Sequence, residues 1–142
     1  MIKMTDYKRN RHAYFKLTYH LVVVTKYRHK CINDDVMKRL EEITRDLFSK
    51  WNCGIIEMNG EEDHIHILFD APPQINLATT INSFKTVTAS RYIRKEFPHH
   101  LSEYYWKPYF WSRSYMVLTT GGATMDVIKK YIEEQGEQDL SA

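Results

Sequence analysis

Two imidazoles two residues apart, His64 and His66, are the first residues in this sequence that could do chemistry. On a β-strand, positions i and i+2 project from one face. Both rings would then point together, while Ile65 and Ile67 point to the opposite, core face. Two neutral imidazoles side by side are half of a divalent-metal site. His-x-His is nevertheless a weak motif, and an ordinary pair of sheet-face histidines is the commoner outcome of that spacing alone. Leu68 occupies the place where a three-histidine strand would carry its third ring. Tyr131 and Gln135 lie four apart and would share one face of a helix, about one turn from each other. Met125, Ile128 and Ile132 form an adjacent apolar stripe able to dock that helix. Tyr131 is a potential nucleophile or simply one half-buried surface aromatic among ten tyrosines. Gly121-Gly122 is a tight turn or a hinge that lets the last helix swing.

A fourth set mixes cations with aromatics. Lys26-Tyr27-Arg28-His29-Lys30 is one group. Lys85, Arg91, Arg94 and Lys95 form another, in a stretch (83–95) without an acid; Trp106, Tyr109 and Trp111 follow. Cations for phosphates and rings for base stacking are the composition of a single-strand nucleic-acid binder, although some of these rings belong to the core. His99-His100 read as exposed loop residues, and Asp63 as turn chemistry.

The elements that would position these groups follow from periodicity. Phe15 to Thr25, rich in β-branched and aromatic residues, reads as a strand. Asn33 and Asp34 cap a helix over 35–51, with Val36, Leu40, Ile43, Leu47 and Trp51 on its buried face. Strands follow at 54–58 and 64–70, joined by the turn Asn59-Gly60-Glu61-Glu62-Asp63. A long helix spans 75–97, with Ile81, Phe84, Val87 and Tyr92 roughly on one side, and Pro98 stops it. Residues 99–108 form an aromatic, charged loop. A fourth strand covers 114–119, and Thr124 caps a last helix over 125–135, with Asp126 where the helix dipole favours an anion. The first six elements match the ferredoxin-like, split βαβ pattern: an α+β fold with a four-stranded antiparallel sheet, two helices on one face, and the other face open. An extra C-terminal helix carries Tyr131.

The 142 residues suit one domain over 1–142, large enough for a core without staples. At 43% hydrophobic and 27% charged the composition is that of a soluble globular protein. The longest aliphatic run, Leu21 to Val24, is far short of the roughly 20 residues of a membrane span, and no apolar signal core opens the chain. Cys31 and Cys53 have no metal-type pairing and read as reduced thiols of a cytoplasmic protein. Residues 1–32 hold eight Lys/Arg against one acid, so the overall charge of +2 conceals a basic segment and an acidic body. Residues 1–12 read as a flexible basic arm and 136–142 as an acidic tail. A localised basic segment suits a phosphate backbone or another anionic surface, or is a solvated tail.

Taken together, these motifs resemble the HUH single-tyrosine transposases of the insertion-sequence 200/605 group. The resemblance runs over about 14–136. It rests on Thr25-Lys26-Tyr27-Arg28, on Asp63-His64-Ile65-His66-Ile67-Leu68, on Trp111-Ser112-Arg113-Ser114-Tyr115, and on Thr119-Thr120-Gly121-Gly122 followed by Tyr131-Ile132-Glu133-Glu134-Gln135. It implies one divalent ion per site, Mg²⁺ or Mn²⁺, held by His64, His66 and Gln135, with Tyr131 as nucleophile. Attack would give a 5′-phosphotyrosine and a free 3′-OH; no G-x-x-x-x-G-K-[ST] stretch is present for ATP, and none is needed. It further implies a homodimer with shared active sites, in which the tyrosine helix of one protomer serves the histidine pair of the other, with Gly121-Gly122 as the hinge. The implied substrate is single-stranded DNA folded into hairpins near the element's ends. The basic arm, Lys26, Tyr27, Arg28, Lys85, Arg91, Arg94 and Trp111 are the expected DNA contacts, and the acidic C-terminal stretch is expected to add nothing to DNA binding. Two other readings compete: a domesticated repeat-associated HUH nuclease, and a non-enzymatic ferredoxin-like nucleic-acid-binding module.

Overall fold

A computed structural model describes residues 8–9, 14–15, 17–119 and 125–141. The expected hinge, Gly121-Gly122, lies outside the described residues, as does most of the 1–12 arm. Within that arm Lys8–Arg9 (β1) pairs antiparallel with Tyr14–Phe15 (β2), so part of the segment expected to be loose is a short ribbon.

The main sheet has the order β4-β5-β3-β6, from Thr18–Val24 (β3), Gly54–Glu61 (β4), His64–Asp70 (β5) and Met116–Thr119 (β6). Every neighbouring pair is antiparallel. The expected ferredoxin-like architecture is therefore present. Its core face is written in the period-2 alternation of β3 and β5: Leu21, Val23, Ile65, Ile67 and Phe69 are fully buried. The residues between them, His20, Val22, Val24, His64 and His66, share the other face. The β4–β5 turn is tighter than expected. Asn59, Gly60 and Glu61 pair with His66, Ile65 and His64, leaving only Glu62-Asp63 outside the strands. Their carbonyls accept from Ile32 N and Thr25 N, both at 2.9 Å, which ties the turn to the end of β3.

Asp34–Lys50 (α1) starts at Asn33, whose side chain accepts from Val36 N at 2.9 Å. Val36, Leu40, Ile43, Thr44 and Phe48 are its buried positions; Leu47 and Trp51 sit only at the margin. The long second helix is not uniform. Leu77–Thr86 (α2) is capped by Asn76, passes into a π-helical segment over Val87–Ile93, and ends as Arg94–Glu96 (α3). The wider turns displace the buried face: after Phe84 the inward residues are Thr88 and Ile93, in place of the Val87 and Tyr92 that regular spacing predicts. Pro98 does not only stop that helix. It opens the short helix Pro98–Ser102 (α4), where the sequence suggested loop, because proline suits a first helical position. His100 there is half-buried and bonded to the Cys31 carbonyl at 2.7 Å, not an exposed loop residue.

Met125–Ser141 (α5) extends past the expected end at Gln135 and absorbs the acidic tail. Ile128 and Ile132 pack against Val22 and Val24 on the open sheet face. Met125, expected in the same apolar stripe, is 78% exposed. Among the described residues no helix is long and apolar enough to cross a membrane.

Candidate functional site

The sheet brings His64 and His66 together as their spacing requires, each half-buried on the open face of β5. Each ring has a partner. Asp63 Oδ1 lies 2.8 Å from His64 Nδ1, and Asp63 Oδ2 accepts from Arg28 Nε at 3.1 Å. Asp63 lies in the turn, as expected, and is in addition a buried bridge between His64 and Arg28. Its bond to His64, then Arg28, holds its carboxyl below the usual carboxylate range despite the burial. His20, on β3, reaches His66: Nδ1 lies 2.6 Å from His66 Nε2, with the rings stacked at 4.9 Å. Burial lowers the His66 pKa, and the neighbouring His20 and His64 rings lower it further, while Glu57 opposes. His66 therefore favours the neutral form that ligates metal.

These histidines open on a cavity of about 690 Å³. Strands β3 and β5 form one wall, with β4 contributing Glu57, Asn59 and Glu61. The other wall is the Met125, Lys129 and Glu133 side of α5. Glu61, Asp63 and His64 each offer a ligand atom within 4.8 Å of the others. An imidazole pair rimmed by carboxylates is a donor set for a divalent cation. With Nδ1 of His64 committed to Asp63, its Nε2 is the nitrogen left to ligate.

Tyr131 and Gln135 do share one face of α5, but they do not line this cavity. They meet the segment between Trp111 and β6. Gln135 Nε2 donates to Ser112 Oγ at 2.8 Å, and its Oε1 accepts from Ser114 Oγ. Since Ser114 spends its proton there, the Tyr131 hydroxyl, 3.0 Å away, is the donor to Ser114 Oγ. Burial raises the Tyr131 pKa, Ser114 works against that rise and Asp139 adds to it. So docked, Tyr131 is a protonated phenol. The expected triad of His64, His66 and Gln135 is therefore not assembled within one chain in this structure.

What holds α5 in this place lies in the acidic stretch beyond Gln135. The Asp139 side chain is only 4% exposed. Its Oδ1 accepts from Ser112 Oγ at 2.8 Å and lies 3.7 Å from Lys26 Nζ; its Oδ2 accepts from Tyr27 N at 2.9 Å. The turn that donates to it is strained: Tyr27 and Arg28 both take left-handed backbone angles, with φ of 60° and 55°. Gly136 closes the contact, since a Cβ there would lie 2.7 Å from Arg28 Cδ. A buried acid one turn beyond Gln135 was legible only as part of a charge run.

The expected DNA contacts divide in two. Lys26 is buried beside Asp139. Lys85 Nζ donates to the carbonyls of Ser112, Arg113 and Ser114 at 2.7, 2.7 and 3.2 Å, and burial brings its pKa down to about 8. Trp111 is 8% exposed and donates to Thr88 Oγ1 at 2.9 Å. Tyr27 is half-buried against Tyr109. These four serve the fold in this structure. Arg28 is partly exposed, Arg94 is half-buried on Ser90, and Arg91 is exposed. Trp106, three residues from Tyr109, is 93% exposed with Lys107 Nζ 5.8 Å from its ring centre.

Comparison with known proteins agrees with this architecture. The ISDra2 transposase TnpA of Deinococcus radiodurans is 32% identical over 134 residues, 94% of each chain. The transposase for insertion sequence element IS200 of Salmonella typhimurium is 31% identical over 136 residues, 96% of this chain and 88% of that one. A crystal structure of a Deinococcus radiodurans protein assigned as a transposase superposes with a TM-score of 0.82 at 34% identity, covering 90% of this chain and 97% of that one. A REP-associated tyrosine transposase bound to a REP hairpin shares the fold, with a TM-score of 0.52 at 12% identity over 89% of this chain and 68% of that one. The IS200-like transposase family matches residues 13–135. This chain belongs to that family.

Proposed function

We propose that this chain cleaves and rejoins single-stranded DNA at the ends of an insertion sequence, with Tyr131 as nucleophile and one divalent ion, Mg²⁺ or Mn²⁺, per site. His64 and His66 would hold the ion, with Gln135 completing the set when α5 is delivered to it. When bound, the ion supplies Lewis acidity to the scissile phosphate and orients it. The Tyr131 oxygen would give up its phenol proton to solvent and attack phosphorus, the bond from phosphorus to the 3′-oxygen would break, and that oxygen would take a proton from solvent and leave as a 3′-OH. The 5′-phosphotyrosine conserves the phosphodiester energy, so a 3′-OH from a second strand reverses the step and joins new DNA.

One observation carries this reading: the histidine pair opens on a carboxylate-rimmed cavity, while the tyrosine and the amide sit on the α5 face turned away from it. A site divided in this way is completed by moving a helix. We read the assembly as a homodimer in which α5 of one copy serves the histidines of the other. Subterminal hairpins are the DNA in this reading. Arg91, Arg94, Lys107 and the exposed ring of Trp106 are the surface that phosphates and unpaired bases would meet.

The test mixes protein, Mg²⁺ and a single-stranded element end, and looks for a covalent adduct on a denaturing gel. Tyr131→Phe abolishes the adduct and keeps hairpin binding; an adduct that survives the substitution refutes the assignment. Mixing Tyr131→Phe chains with His64→Ala chains restores the adduct if sites are shared between copies, and leaves both inactive if they are not.

A further inference from the structure

We infer that His20 is a positioning residue for the metal site: it holds one ring nitrogen of His66 as Asp63 holds one of His64. The inference rests on the metal-site reading above and goes beyond it, because the expected ligand set contains no residue of β3.

The register makes the contact. Val22 lies opposite His66 and His20 opposite Leu68, so His20 is the diagonal neighbour of His66 on the open sheet face. The two rings stack with 21° between their planes, and His20 Nδ1 stands 2.6 Å from His66 Nε2. Two bare lone pairs at that distance repel, so one of the nitrogens carries the proton; in the arrangement that serves a cation, His66 Nε2 donates to His20 Nδ1 and leaves the lone pair on His66 Nδ1. That bond fixes the orientation and the tautomer of both rings. The flanking strands place Leu68 and Leu118 beside His20. An apolar side chain would fill such a position, and the imidazole is explained by its bond to His66.

The pairing is symmetrical in purpose. His64 has Nδ1 held by Asp63, leaving Nε2; His66 has Nε2 held by His20, leaving Nδ1. With His66 Nε2 as the donor, each imidazole has its ring locked through one nitrogen and its lone pair on the other. A ring free to flip about its side-chain bonds would lose that order on every release of the ion.

The test is Mn²⁺ binding by the full-length protein without DNA, followed by calorimetry and by the Mn²⁺ paramagnetic resonance signal. His20→Ala weakens Mn²⁺ binding about 10- to 100-fold. His20→Asn, whose amide reaches the position of Nδ1, restores most of it, and both variants keep the parent's melting behaviour. Should His20→Ala fail to fold, His20→Leu, matched to Leu68 and Leu118, takes its place. If the folded variant binds Mn²⁺ as the parent does while His66→Ala does not, the role of His20 is overturned and the metal site stands. If His66→Ala also binds like the parent, the metal site falls and this inference with it.

Discussion

The strand half and the helix half of the proposed site are held by different physics. His64 and His66 stand on β5, a central strand whose alternate residues are wholly buried between the sheet and its helices. Moving them means unmaking the core. Tyr131 and Gln135 stand on α5, which buries two isoleucines against β3 and is otherwise secured by polar contacts from Ser112, Ser114, Lys26 and the Tyr27 amide. Hydrogen bonds contribute only about 0.5–1.5 kcal/mol each, because water replaces them on release. In the proposed reaction the half that holds the ion is built into apolar packing, and the half that would be delivered to it is fastened by exchangeable bonds.

The sharpest way to break that comparison is to make the same cut in both regions. Ile67→Ala, in the fully buried face of β5, is expected to cost about 2–5 kcal/mol of global stability. Ile132→Ala, on α5, is expected to leave the cooperative melt nearly unchanged and to speed amide exchange in α5 alone. Equal losses in global melting would show that α5 belongs to the core and does not move separately.

Asp139→Ala is next in size. It leaves the Tyr27 amide and the Ser112 hydroxyl without their acceptor in a buried place, a cost of about 2–3 kcal/mol confined to the α5 contact. The expected reading is faster exchange at the Tyr27 amide and greater exposure of the Tyr131 ring, with the sheet untouched. Unchanged exchange at Tyr27 would show that Asp139 does not fasten the helix.

Most of the sheet side of the site could be seen in the residues themselves. Strict alternation in His64-Ile65-His66-Ile67 fixes which side chains face the core, whatever the rest of the chain does. The αβ element order fixed the open face as well. The missing parts depend on groups far apart in sequence. Nothing local to His20 marks it, because its partner is 46 residues away and reaches it only through the β3–β5 register. Asp139 sits in a run with Glu133, Glu134 and Glu137, and composition cannot tell a buried acid from a solvated one. The shift of the buried face from Val87 to Thr88 needs the π-helical segment, which regular periodicity does not foresee. Lys85 and Trp111 have the composition of DNA contacts, yet three orphaned carbonyls and one threonine hydroxyl recruit them inward.

Lys85 gives the third prediction. Lys85→Met leaves the Ser112, Arg113 and Ser114 carbonyls without their shared donor, and about 1–2 kcal/mol of stability should be lost at pH 7. The pH dependence has a definite sign. The folded amine has a pKa of about 8 against an ordinary value of 10.5, so the unfolded chain holds the proton more tightly. The parent's stability relative to the methionine variant should therefore rise between pH 8 and pH 10.5 and be flat below pH 8. A flat difference across the whole range would show that the amine is not constrained in the folded protein.

Trp106 is the smallest perturbation to the fold and separates the structural aromatics from the one that faces outward. Trp111→Ala removes a buried ring and the bond to Thr88, and belongs with the core substitutions. Trp106→Ala removes a ring that is 93% exposed, so its effect on melting should stay within about 0.5 kcal/mol. Its effect on single-stranded DNA is expected to be larger, because one stacked base contributes about 1–3 kcal/mol, or about 5- to 150-fold in affinity. Trp106→Phe keeps a stacking face and should retain most of the binding, whereas added salt should weaken parent and variant alike, since the lost contact is not ionic. The measurement is fluorescence anisotropy of a labelled single-stranded hairpin. Binding unchanged in Trp106→Ala would place the DNA on another face, and the cations that remain solvent-facing around Arg28 would then be the surface to substitute.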